Sequence, residues 1–270
     1  DSFILGSTDD ATSVISGILG DVMIDGGTHP ALPEVSESVT AKGLTVQATV
    51  SSGDSLVIND PGYNAAATYN LNDGTFNRDG NVAPTMFTAI ETIELNTGMA
   101  ANTVNIIDTP DNSITTVNTQ DGADTINVTT TGDDSILIVN TAGGTDTINV
   151  TPTGSDSVSV FNTGDEADTI TQLTSWSGSG VHFNGEGAGD TFTIQTRGSP
   201  LATLIRGSGG GVPSEIKSAG AGRRGGGGGG GGGEALRWRG WRGGGGVGLV
   251  GGGGGESGGV GAGVGGGGGG

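Results

Sequence analysis

Asp124-Thr125-Ile126-Asn127-Val128 returns 22 residues later as Asp146-Thr147-Ile148-Asn149-Val150. Within each copy apolar and polar residues alternate, which is the period of a half-buried strand and not of a helix. Outward from this pair the same spacing carries a second signature: Leu95-Asn96-Thr97, Val117-Asn118-Thr119, Val139-Asn140-Thr141, Phe161-Asn162-Thr163 and Phe183-Asn184-Gly185. The register holds elsewhere in the unit. Asn102, Asp124, Asp146, Asp168 and Asp190 share one column, Thr103, Thr125, Thr147, Thr169 and Thr191 the next, and Val104, Ile126, Ile148, Ile170 and Phe192 the third. Each unit holds a second strand, as in Ser135-Ile136-Leu137-Ile138-Val139 and Ser157-Val158-Ser159-Val160-Phe161, joined to the first by Gly, Asp, Asn and Thr turns. A fixed repeat of this length is the mark of a solenoid.

One such coil cannot stand alone. Ordering 22 residues costs about 1–2 kcal/mol each in backbone entropy, against about 1.5–3 kcal/mol for each of a few buried aliphatic side chains. Stacking is therefore obligatory, with coils about 4.8 Å apart and like side chains in ladders. The expected fold is all-β, a right-handed parallel β-helix or β-roll-like solenoid with 22-residue coils. The Asn column at 96, 118, 140, 162 and 184 reads as an amide ladder bonding coil to coil.

Composition divides the chain near Arg206. Residues 1–206 carry 26 Asp and Glu against Lys42, Arg78, Arg197 and Arg206, a net of −22. Residues 207–270 carry six Lys and Arg against Glu215, Glu234 and Glu256, a net of +3, which together give the chain's −19. That acidity argues against nucleic acid as a partner of the folded part, because phosphate needs the opposite sign. With no cysteine there is neither a disulfide framework nor a thiolate metal site. No run reaches membrane-spanning length. The start at Asp1 reads as a mature form or a fragment of a longer chain.

Three regions are expected: irregular coils and a cap over 1–94, regular repeats over 95–206, and a low-complexity tail over 207–270. In the first, Gly20–Gly27, Gly43–Ala48 and Asp54–Asp60 read as wider coils, Tyr69 to Ile93 as two or three strands, and Ala11 to Leu19 as the one place for a capping helix. The tail has 36 Gly in 64 residues and too little to bury to offset its ordering entropy, so disorder is expected there. Its island Arg237-Trp238-Arg239-Gly240-Trp241-Arg242 has the chemistry to stack on nucleic acid, but one island within glycine reads as linker or as out-of-frame sequence.

Two Gly-x-Asp-x-aliphatic half-motifs recur per coil: Gly122-Ala123-Asp124-Thr125-Ile126 with Gly132-Asp133-Asp134-Ser135-Ile136, then Gly144-Thr145-Asp146-Thr147-Ile148 with Gly154-Ser155-Asp156-Ser157-Val158. They resemble the RTX-type calcium-binding nonapeptide, although the period differs from nine and Glu166 and Ala188 replace its glycine before Asp168 and Asp190. The resemblance implies a Ca²⁺ ladder on Asp124, Asp146, Asp168, Asp190, Asp134 and Asp156. The residues also allow a plainer role, in which Asp124, Asp146, Asp168 and Asp190 accept backbone N–H bonds and splay into solvent. More broadly, Asp54–Asp60, Ile90–Thr97, Asp121–Val128 and Gly143–Val150 resemble the long extracellular adhesin-like and RTX-like repeat proteins of environmental bacteria. That likeness implies a secreted or cell-surface scaffold without catalytic residues, with extracellular polysaccharide or other surface proteins as partners.

Parallel β-helices also host polysaccharide lyases and hydrolases. Lyase chemistry needs a base and glycoside hydrolysis two carboxylates held in different environments. The nitrogen bases and cations of residues 1–206 are His29, His182, Lys42, Arg78, Arg197 and Arg206, and none sits in a cluster that breaks the repeat. His182 shares the column of Thr116, Ile138 and Val160 and reads as a strand side chain. Trp176 reads as an end cap before it reads as a sugar platform. The Asn-x-Thr triplets at Asn127 and Asn149 fall inside expected strands. A non-catalytic structural or adhesive module is the leading expectation. Carbohydrate binding on a flat Thr/Asn face comes second, and a solenoid lyase third.

Overall fold

The computed structural model describes residues 1–6, 14–16, 21–27, 34–41, 44–51, 53–79, 84–151, 153–173, 179–187, 189–194, 202–207 and 246–250. Of these, 34–41, 44–51, 202–207 and 246–250 are described as backbone only. The helix expected over Ala11 to Leu19 and the cap at Trp176 fall largely or wholly outside the described residues.

Among the described residues every element is a strand. In chain order they are β1 (Ser2–Leu5), β2 (Val22–Asp25), β3 (Glu34–Ala41), β4 (Leu44–Ser51), β5 (Ser55–Asn59), β6 (Thr68–Asn72), β7 (Thr75–Arg78), β8 (Thr85–Thr88), β9 (Thr92–Asn96) and β10 (Thr103–Ile106). They continue as β11 (Ile114–Asn118), β12 (Thr125–Val128), β13 (Ile136–Asn140), β14 (Thr147–Val150), β15 (Val158–Asn162), β16 (Thr169–Gln172), β17 (Gly180–Gly185), β18 (Thr191–Ile194), β19 (Ala202–Gly207) and β20 (Gly246–Val250).

Eighteen strands form two nine-stranded sheets, and from β8 to β19 successive strands alternate between them. The first runs β1-β5-β9-β11-β13-β15-β17-β19-β20 and the second β18-β16-β14-β12-β10-β6-β7-β8-β2. From β9 to β18 all pairing is parallel, and each partner lies 22 residues away, so Ile126 pairs with Ile148 and Ile148 with Ile170. The molecule is a flattened parallel β-solenoid, each coil giving one strand to each sheet and turning at two corners.

Period-2 alternation places the core between the sheets. The first sheet turns Leu95, Val117, Val139, Phe161 and Phe183 inward, and the second Tyr69, Val104, Ile126, Ile148, Ile170 and Phe192, all with no exposure. Phe161 and Phe183 stack with ring centroids 5.2 Å apart. Polar side chains break the pattern in places. Within the repeats Thr115, Ser159 and Gln172 point inward without exposure, and neither Gln172 amide atom has a hydrogen-bond partner. An orphaned buried amide costs about 1–3 kcal/mol, and in register its neighbours are Val150 and Ile194. Gln172→Val is expected to raise unfolding free energy by about 1–2 kcal/mol, read as a higher midpoint in urea with unchanged slope.

The N-terminal region corrects one expectation. Gly43–Ala48 was expected to be a wider coil, but β3 and β4 form a separate antiparallel hairpin. Eight residues on either side of a two-residue connection can pair directly with each other, so no crossover is needed. Within the second sheet β6, β7 and β8 form an antiparallel meander, which interrupts the parallel stack before β2 resumes it. In the tail, Gly246–Val250 pairs antiparallel with β19; the remainder of 208–270 lies outside the described residues.

Candidate functional site

The turn from the first sheet to the second brings Asn102, Asp124, Asp146, Asp168 and Asp190 together as a column. Each aspartate caps the coil before it. Asn102 N donates to Asp124 Oδ1 at 2.7 Å, Asp124 N to Asp146 Oδ1 at 2.8 Å, Asp146 N to Asp168 Oδ1 at 2.8 Å, and Asp168 N to Asp190 Oδ1 at 3.0 Å. These carboxyls do not splay into solvent: Asp124 and Asp146 keep 1% exposure and Asp168 2%. The coil turns sharply here, with Gln120 at φ 59° and Ala142 at φ 55°, so a side chain at the column position is drawn under the corner and covered by the next coil.

Burial disfavours the charged form. It pushes Asp124 up to about 6, Asp146 to about 7 and Asp168 to about 6, and raises Asp190 as well. The carboxylates of Asp124 and Asp168 add to the rise at Asp146, and those of Asp190 and Glu166 to that at Asp168. Hydroxyls of Thr119, Thr141 and Thr163 stand near enough to oppose it. Even so, Oδ2 of Asp124, Asp146 and Asp168 is buried with no donor at hydrogen-bonding geometry. Asn102 occupies the same column with an amide, and its Nδ2 donates to Gly98 O at 2.7 Å and to Thr97 Oγ1 at 3.4 Å.

Asp134 and Asp156 lie at the opposite corner, exposed and in left-handed conformation at φ 53° each. The six aspartates singled out by the half-motifs therefore divide between two edges of the coil. Calcium takes six to eight oxygens. Along the buried column each coil supplies one spare carboxylate oxygen, and among the described residues no three acidic, His or Cys side chains converge as a metal site. The column by itself falls short of a calcium sphere.

Three polar ladders run along the coils, the first as the sequence leads one to expect and the other two not read from it. The Asn column at 59, 96, 118, 140, 162 and 184 does bond coil to coil, Nδ2 to Oδ1 at 2.7–2.8 Å. The second sheet carries another, in which Asn105 donates to Asn70 at 2.8 Å, and Asn127 to Asn105 and Asn149 to Asn127 at 3.0 Å. At the second corner Ser113, Ser135 and Ser157 each donate to the carbonyl three residues earlier at 2.6–2.7 Å, and Thr109 and Thr131 accept from Gly132 N and Gly154 N. The signal was present as the 22-residue recurrence of these residue types, but recurrence alone does not say which way a side chain points. Glycine at this corner is steric: a Cβ on Gly154 would stand 2.2 Å from Gly132 O.

Near the N-terminal end Asp60, with no exposure, binds the guanidinium of Arg78, which keeps 2%. Asp60 also accepts from Tyr69 Oη at 2.8 Å and Ile15 N at 2.9 Å, while Arg78 Nη2 donates to Ser16 Oγ at 2.7 Å. The Tyr63 ring covers the guanidinium at 3.9 Å, and burial together with Asp60 pushes the Tyr69 phenol upward. Arg78 is thus a structural cation inside the stack. His182 stands in register with Val160, in the column of Thr116 and Ile138. The structure brings no carboxylate pair or base into a cleft with it among the described residues.

No protein-family model, curated protein or solved structure matches this chain.

Proposed function

We propose that the chain is a non-catalytic structural and adhesive repeat module of a secreted or cell-surface bacterial protein. The observation that carries this reading is the unbroken register from β9 to β18. Each coil hydrogen-bonds its neighbours, and the Asp and Ser columns at the corners serve the backbone. A solenoid enzyme gathers its acid, base and cations where the repeat departs from itself. At one such departure, the β6–β8 meander, the Arg78–Asp60 pair is buried and bonded to Tyr69, Ile15 and Ser16. A rigid rod with a strongly acidic surface suits display and spacing away from a cell, where net charge keeps chains from collapsing on one another.

In this reading the Asp column caps backbone amides and does not hold calcium. Millimolar calcium chloride is expected to leave the thermal midpoint and strand circular dichroism of the chain unchanged relative to chelator; a midpoint raised by several degrees would restore the metal ladder. Incubation with uronate polymers is expected to give no unsaturated product absorbing in the ultraviolet. Beads coated with the chain are expected to attach to extracellular polysaccharide matrix more than beads coated with albumin. Release of unsaturated sugar would replace the scaffold with a lyase, and equal attachment would leave spacing without adhesion.

A further inference from the structure

The outer face of the second sheet presents three parallel lines of side chains along the solenoid axis. The first is Thr68, Thr103, Thr125, Thr147, Thr169 and Thr191. The second is the amide ladder from Asn77 and Asn70 through Asn105, Asn127 and Asn149, continued by Thr171 and Thr193. The third begins with Met23 beside Met86, passes through Thr75 and Asn72, and goes on to Ile107, Thr129, Thr151 and Leu173. These residues continue the ladder, since Ile107, Thr129, Thr151 and Leu173 donate their backbone N–H to Leu71, Ile106, Val128 and Val150.

The third line gathers surface that folding normally hides. Of seven exposed large apolar side chains among the described residues, four stand on it: Met23 at 75%, Met86 at 38%, Ile107 at 43% and Leu173 at 43%. Four scattered residues on a surface mean nothing, but four on one line, beside two uninterrupted polar lines, make an amphipathic strip. An amide has two donors and a carbonyl with two acceptor positions. Each central Asn of the ladder uses one donor and one acceptor position on its neighbours, which leaves one of each for a ligand. Neighbouring lines carry threonine hydroxyls with the same double capacity.

Charge selects among ligands. From Thr103 to Thr193 the three lines hold no ionisable side chain, while both corners flanking them are acidic and exposed, with Asp121, Asp165 and Glu166 on one side and Asp111 and Asp133 on the other. Carboxylates on the face stand at its N-terminal end, where Asn70 donates to Asp79 and Thr88 Oγ1 to Asp25, each at 3.2 Å. An anionic polymer would meet two negative rims, and a carboxylate can only accept hydrogen bonds. A neutral sugar polymer has hydroxyls that both donate and accept, and apolar C–H faces to lay on the methionine, isoleucine and leucine line. The outer face of the first sheet also carries an Asn ladder, but the ionisable Glu94 and His182 stand in the column beside it.

We infer that the outer face of the second sheet docks an uncharged polysaccharide chain laid along the solenoid axis. The inference rests on the adhesive reading above and names the partner and the surface. Repeating coils about 4.8 Å apart offer a long ligand the same contacts many times over, so weak contacts add along its length.

Sedimentation of the full chain with microcrystalline cellulose, insoluble mannan and cross-linked polygalacturonate tests it. The wild-type chain is expected to co-sediment with at least one neutral polymer and to be retained at least tenfold less by polygalacturonate. Ile107→Thr with Leu173→Thr keeps the fold, because the same line takes threonine at 129 and 151, and is expected to weaken neutral retention at least fivefold at an unchanged melting temperature. Thr125→Glu with Thr147→Glu charges the face and is expected to abolish retention, whereas Thr116→Glu on the other sheet leaves it intact. Neutral retention untouched by both face variants would overturn the inference and leave adhesion through another surface. Retention by no neutral polymer, or equal retention by polygalacturonate, would overturn it too, while attachment of coated beads to matrix protein would still uphold the adhesive reading.

Discussion

Replacing Arg78 by alanine is expected to cost about 3–5 kcal/mol of stability, the cost of leaving one partner of a buried ion pair uncompensated. Asp60 is fully buried, and its remaining donors, Tyr69 Oη and Ile15 N, are neutral. They cannot replace the lost cation. The guanidinium also ties the meander to Ser16 and stacks on Tyr63, so its loss unfastens three segments distant in sequence. Urea unfolding followed by circular dichroism measures the loss. A second variant, Asp60→Asn with Arg78→Met, removes both charges and is expected to recover most of the stability, since a buried pair is replaceable by uncharged groups of similar volume. An Arg78→Ala loss below about 1 kcal/mol, the size of an exposed pair, would mean that this network is open to water.

Acidification is expected to stabilise the repeats, opposite to the usual behaviour of an acidic protein. Asp124, Asp146 and Asp168 titrate near 6, 7 and 6 in the folded chain, against about 3.9 when unfolded. The folded state therefore binds protons that the unfolded state has released, and stability falls as pH rises from about 4 to about 7. Below that window these groups impose no charge-burial cost; above it the cost is complete. At about 1.4 kcal/mol per unit the three together account for several kcal/mol. Unfolding midpoints in urea at pH 5 and pH 8 read the difference, with the higher midpoint expected at pH 5. Asp124→Asn, Asp146→Asn and Asp168→Asn combined are expected to raise stability at pH 8 and flatten the dependence, since Asn102 shows that an amide fits the column and finds acceptors at Gly98 O and Thr97 Oγ1. A wild-type chain more stable at pH 8 than at pH 5, or an Asn variant with the same pH slope, would refute the buried-acid account.

The two predictions differ in how far the sequence foretold them. The Asp column was visible as recurrence at 124, 146, 168 and 190, and its role as a backbone cap was among the readings the residues allowed. That it is buried was not visible, because aspartate is ordinarily a surface residue and only the overlying coil removes water from it. Arg78 was read as one of a few scattered cations. Nothing near it in sequence announces Asp60, which reaches it only because the chain turns back through β6 and β7.

The line of Met23, Met86, Ile107 and Leu173 belongs to the same category. Ile107 and Leu173 share the 22-residue column with Thr129 and Thr151, but Met23 and Met86 come from a parallel strand and an antiparallel meander outside that period, so no periodicity scan gathers all four. The β3–β4 hairpin was missed for the complementary reason: its alternation is that of any strand, and strand pattern alone does not distinguish a neighbour two residues away from one a full coil away.

What the sequence by itself determined is the repeat: 22-residue coils, strands in place of helices, Ile126 over Ile148 over Ile170, and the first Asn ladder. Period and alternation are local properties, and identical units can bury their apolar face only on one another, so the stack followed from the chain alone. What only the tertiary structure decided is which polar side chains lie under a corner, which cation is enclosed, and which face is left uncharged and partly apolar. Those depend on contacts between residues far apart in the chain, where desolvation and charge are set by whatever the fold happens to place above them.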